Sequence, residues 1–285
     1  MSDAVLLDPD VWSRTTPFGA RLRDVVTDRF VADGLRLRAY PNADLRRRPI
    51  DAKVNHGGVY LLQDLPGLRA AESSDGSDAD WAAVTTLPFL LVFDDPAARY
   101  LPFSLSPALP VRGLFGVDDG SSPPRPAPDI PLYSSPTRPP PDACAVIRAE
   151  LHEAASGAPA AWALVRASIA GTVVATGIAD ALGRLALFFA FPEPPRPPLT
   201  SPPPAVAEPV WPVDLQAFYL RPDPVPEIPD LATVLAQVAH PCRLLDTLSP
   251  PVELPAQTVA YHRETTVRSM ASSTPPSPYL FIEAA

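Results

Sequence analysis

The chain has 285 residues, 46% of them hydrophobic and 41 of them proline, with 23 basic against 32 acidic side chains for a net charge of −9. It is long and apolar enough for two domains with their own cores, while proline at about three times its usual share of roughly 5% excludes long helical bundles, since each internal proline removes a helix hydrogen bond and clashes with the preceding turn. The acidic balance argues against a surface that tracks nucleic-acid phosphates, so nucleic acid is not an expected partner.

Residues 1–17 read as an extended lead-in anchored by Trp12. Its acidic start has no apolar segment, so no secretory signal is expected. The longest apolar run, Leu185 to Phe191, is far below the roughly 20 residues of a membrane helix. The expectation is a cytoplasmic chain without membrane insertion. Phe18 to Val31 fits both a helical stripe and strands, and an internal repeat favours strand. Leu22 to Ala39 followed by Asn55 to Leu62 is echoed by Leu151 to Ala167 followed by Ala179 to Leu187. In each copy a polar turn leads into an alternating strand, and Asp or Asn followed within a few residues by glycine opens a more apolar one.

Asp33-Gly34 turns the chain into a strand over Leu35 to Tyr40, whose alternation puts Leu35, Leu37 and Ala39 on one face and the arginines on the other. Arg46 to Arg48, between two prolines, read as a solvated basic turn. Gly57-Gly58 permits a tight turn before a strand at Val59 to Leu62, and Leu65 to Arg69 reads as a turn and strand end. Glu72 to Asp80 is a Ser/Asp/Gly surface loop closed by Trp81. Phe89 to Asp94 and Tyr100 to Leu105 form a hairpin across Asp95 to Arg99. From Asp118 to Asp142 the composition shifts to Ser, Gly and Pro, which predicts a semi-rigid linker that spaces two domains.

The second domain is expected to hold strands at Cys144 to Leu151, Ala161 to Ser168 and Thr172 to Ile178. Asp180-Ala-Leu-Gly183 has Asp and Gly at the first and fourth places of a turn, predicting a tight hairpin. After a Pro-rich excursion, Pro192 to Pro212, come a strand at Val213 to Leu220 and a helix at Leu231 to Ala239 ended by His240-Pro241. Gln257 to Arg268 and Tyr279 to Ile282 supply the closing strands. The division is therefore 1–117, 118–142 and 143–285: all-β, two immunoglobulin/prealbumin-like β-sandwich domains joined by a proline-rich linker.

No phosphate loop, Gly-x-Ser-x-Gly elbow or paired His or Cys metal spacing occurs, so no catalytic, cofactor or metal residues are assigned and an enzyme is not expected. His56, His152, His240 and His262 are scattered and read as surface or strand histidines. Cys144 and Cys242 read as buried thiols, with a single bridge left open. The residues singled out are structural turns: Asp33, Gly34, Gly57, Gly58, Asp180 and Gly183. Trp81, Trp162, Trp211 and Tyr219 could form a sugar-stacking platform, which keeps open a carbohydrate- or surface-binding module.

Residues 145–190 resemble the carboxypeptidase regulatory-like, prealbumin-type β-sandwich, through the turn Gly157-Ala158-Pro159, the strand Ala161 to Ala167 and the partial turn motif Ala179 to Leu185. Ala and Leu there replace the Thr and the aromatic of the family pattern. The combination of Leu65-Pro-Gly-Leu-Arg69, Asp95 to Pro102, Leu109 to Leu114 and Tyr133 to Pro139 looks like accessory proteins of bacterial contractile injection systems, the phage-tail-like particles. The resemblance implies a non-enzymatic subunit at the cap or baseplate end of a symmetric oligomeric assembly, with other particle subunits as partners and release together with the particle.

Overall fold

A computed structural model describes residues 15–72, 85–120, 125, 127–193, 208–270 and 277–284. Among the described residues the regular structure is mostly strand with little helix, in keeping with the alternating patterns and with a proline content that disfavours helices. The first half contains β1 (Phe18–Ala20), β2 (Leu22–Asp24), β3 (Arg36–Pro41), β4 (Ile50–Asp51), β5 (Lys53–Val54), β6 (Tyr60–Leu62), the single-turn helix α1 (Arg69–Glu72), β7 (Leu87–Asp94), β8 (Phe103–Leu105), β9 (Ala108–Leu109) and β10 (Ile130–Leu132). Three small sheets result: β1-β6-β5, β4-β3-β7-β8 with β9 added on β7, and the pair β2-β10. Alternation works as expected in β3, where Leu37 and Ala39 are buried against Phe89, Leu91 and Phe93 in one core. Phe18 to Asp24 is strand, and the arginines at 46–48 lie exposed in a turn. Leu65 to Arg69 differs from expectation: it turns into α1, with Leu65 and Leu68 driven into the core.

The second half contains β11 (Cys144–Glu153), β12 (Leu164–Ile169), β13 (Thr172–Ile178), β14 (Arg184–Ala190), β15 (Val210–Phe218), α2 (Leu231–Ala236), β16 (Pro241–Leu248), β17 (Pro251–Glu253), β18 (Gln257–Ala260), β19 (Glu264–Thr266) and β20 (Leu280–Ala284). These strands form one ten-stranded sheet, in the order β13-β12-β15-β16-β20-β11-β14 with β17, β18 and β19 off the main path. The sheet forks at its middle. On one edge of β15, Val210 to Val213 pair with β18 and Ala217 to Phe218 with β16; on β11, Val146 to Arg148 pair with β19 and Leu151 to Glu153 with β20. The sheet curls until β13 and β14 meet without pairing. A side chain on Gly177 would sit 2.5 Å from Leu187 Cδ2, so this close approach requires a residue without one. The curl encloses a second core of Ile147, Leu151, Leu185, Leu187, Val213, Val259 and Ile282.

Residues 129–138, expected to lie in the linker 118–142, are built into the first core instead. Ile130, Leu132 and Tyr133 are buried, and β10 pairs in parallel with β2. Ion pairs hold both ends of this short ladder: Arg23 binds Asp129 before it, and Asp24 binds Arg138 after it. The two cores also abut. Trp162, expected on the face of β12, has φ +64 in the turn before that strand and buries its ring in the first core with Leu231 and Val234. Its Nε1 donates to Pro226 O at 3.0 Å, and Gln237 Nε2 donates to Trp162 O at 2.8 Å. Helix α2, capped by Asp230, packs Leu231 and Val234 into the first core. Among the described residues no helix is long and apolar enough to cross a membrane.

Candidate binding surface

The bend at Asp180 to Gly183 is closed by its own carboxylate. Asp180 accepts from the Leu182 and Arg184 N–H groups at 2.9 Å and binds the Arg184 guanidinium at 2.6 Å. Gly183 takes φ +78, and a Cβ there would collide with Leu151 O. The connection is an arch and not the expected hairpin, because β14 pairs with β11 and not with β13. Asp95 repeats the device in the first half, accepting from the Ala97 and Arg99 N–H groups and from Arg99 Nε at 2.9 Å. An Asp-x-x-x-Arg spacing thus closes a turn in both halves, a signal the glycine-based repeat overlooked.

Three further loops converge at one end of the first core. Asn55 Oδ1 accepts from Gly57 and Val59 N–H, closing the turn through Gly58. The Arg99 guanidinium occupies the space beside Gly34 and donates to Asp33 O. Beneath lies Tyr60, whose hydroxyl is buried without a hydrogen-bond partner among the described residues; burial, with Asp33 nearby, pushes its pKa up to about 12.

Arg23 is 4% exposed and is surrounded by carboxylates: Asp119 at 2.6 Å, Asp129 at 3.0 Å and Asp28 at 3.6 Å, with Arg125 bridging Asp28 and Asp129. These groups border a cleft of about 490 Å³. Their mutual neutralisation makes the cluster a staple between β2 and the segment after Gly116.

The surface best suited to a ligand lies at the other end of the second core. Phe191 follows β14, Trp211 lies in β15, and Tyr261 follows β18; the Trp211↔Val259 register brings the three rings together. Phe191 stands 5.2 Å from Trp211 and 4.9 Å from Tyr261, and His262 packs on Tyr261 at 3.9 Å. With Pro192, Glu193 and Pro209 they line an open cleft of about 510 Å³. Tyr261 is 40% exposed, whereas Trp211 is 7% exposed.

The four aromatic residues named as a possible sugar platform are not assembled as one among the described residues, and Trp162 takes the core position its apolar neighbours in sequence favour. Trp162 and Trp211 are core residues, Tyr219 donates its hydroxyl to Glu153 Oε1, and Trp81 lies outside the described residues. Phe191 and Tyr261, which do form the cleft, follow strand ends and carry no motif that marks them. Cys144 and Cys242 are unpaired thiols, and burial pushes both up in pKa. His152 is buried, stacked on Tyr279 at 3.8 Å with Nδ1 against Gly157 O. No group of His, Cys, Asp or Glu is placed to hold a metal ion among the described residues.

No protein-family model matches the chain, and no curated protein matches it.

Proposed function

We propose that this chain is a non-enzymatic structural adaptor, docking between other subunits of a contractile, phage-tail-like injection particle through two β-sandwich units of the immunoglobulin/prealbumin type. The observation that carries the binding role is the division of labour among side chains. Asp24, Asp95 and Asp180 each cap a turn while holding an arginine, and Arg23 is surrounded by aspartates, so these ionisable groups serve the scaffold. Apolar side chains remain outside: Leu248 and Val252 on the β16-β17 ribbon, Val173 on β13, Val210 on β15, and Tyr261 in the cleft. Exposed strand edges and apolar patches of this kind favour protein contacts. The particle assignment is supported by the sequence strings at 65–69, 95–102, 109–114 and 133–139. Its test is deletion of the chain from a host that makes such particles. Particles with missing or misassembled ends are expected in electron micrographs; particles of unchanged yield and form would overturn the reading.

A further inference from the structure

We propose that the cleft of Phe191, Trp211 and Tyr261 is a docking groove for an extended, proline-rich, arginine-containing segment of a neighbouring protein. This rests on the adaptor reading and gives that binding a chemistry. The ring cluster supplies a firm apolar wall: Trp211 is 7% exposed and held in β15, Phe191 packs between it and Tyr261, and His262 braces Tyr261 from the side at 3.9 Å. The accessible face belongs to Tyr261, 40% exposed. Pro192 and Pro209 add apolar lining beside these rings.

Such a groove matches a polyproline segment. The ligand's ring faces stack on aromatic side chains, it has few backbone donors to satisfy, and its preformed helix loses little entropy on docking. Charge complementarity supplies the second half of the recognition. Among the described residues Glu193 is the charged one lining the cleft, while Glu208, next to Pro209 in the chain, is already paired with Arg263 at 3.0 Å. An arginine in the ligand answers Glu193 with its fork of donors and lays its planar group on Tyr261.

The test is fluorescence anisotropy of a labelled peptide, PPRPPLPP, titrated with the intact chain. Saturable binding is expected, weakened about tenfold by Tyr261→Ala. Glu193→Gln should weaken it and remove its salt dependence, and a peptide with glutamate replacing the arginine should not bind. Both substituted side chains are solvent-accessible, and unchanged melting temperatures will show that the variants fold. Absence of saturable binding to the parent chain, or undiminished binding by both variants, would overturn the proposal; so would a soluble oligosaccharide that binds the cleft in place of the peptide and is lost in Tyr261→Ala. The free peptide requires no particle, so failure here is separable from failure of co-sedimentation, which tests the adaptor reading itself.

Discussion

Tyr60 shows how a residue can be legible as core and illegible in its chemistry. Its place after the Gly57-Gly58 turn predicts a buried strand position, and its ring is 1% exposed. That its hydroxyl has no partner among the described residues depends on where the loops at 32–34 and 95–99 close over it, which no local pattern encodes. An unsatisfied buried hydroxyl costs about 1–3 kcal/mol, so Tyr60→Phe should leave stability unchanged or raise it by up to about 1 kcal/mol in urea denaturation. A loss of several kcal/mol would mean that the hydroxyl has a partner. Gly183→Val is the opposite case. Left-handed φ and collision with Leu151 O should together cost about 3 kcal/mol, well above the roughly 1–2 kcal/mol of the φ penalty alone. Parent-like thermal stability would contradict the arch at Asp180 to Gly183.

At the scale of elements, β2 and β10 are the most informative pair. Burial pushes the Asp24 carboxyl up, but the hydrogen bond from Arg138, the Val26 N–H and the Thr27 hydroxyl outweigh it and hold the group below the ordinary carboxylate value of 3.8. A depressed native pKa contributes stability that is present above 3.8 and is lost as pH falls from there through the native value. Asp24→Asn leaves Arg138 without its buried partner and should cost about 3 kcal/mol at neutral pH while flattening this acid limb of the stability curve. An unaltered acid limb, followed by tryptophan fluorescence, would show that the pair contributes nothing. The alternation of β3 from Arg36 to Ala39, the continuous apolar run of β7 and the capped helix α2 were readable because their patterns and end signals are local. The three-residue β10 was not. Its sequence, Ile-Pro-Leu, sits in a proline-rich stretch whose composition predicts a linker, and its partner β2 lies more than a hundred positions away. The arch at 180–183 was misread for a related reason: turn chemistry fixes how the chain bends, while pairing depends on which distant strand arrives beside it.

For the whole molecule, the abutting cores change what the proline-rich segment is expected to do. With Ile130 to Tyr133 buried beside β2 and Trp162 sunk into the first core, a trypsin cut at exposed Arg112 should leave two fragments that elute together under native conditions. Fragments that separate freely would contradict the seam. The cleft at 191–261 was invisible in sequence because its rings come from three strand ends and their spacing along the chain carries no period. The proposed adaptor function requires contacts with other subunits, for which the proposal assigns sheet edges and that cleft. Its most direct measurement is sedimentation of lysate from a host shown to be making tail-like particles, with the chain followed by quantitative mass spectrometry. Co-sedimentation with the particle at a fixed ratio to its sheath and tube subunits is the expected result; recovery only as a free monomer in that same lysate would contradict the adaptor function.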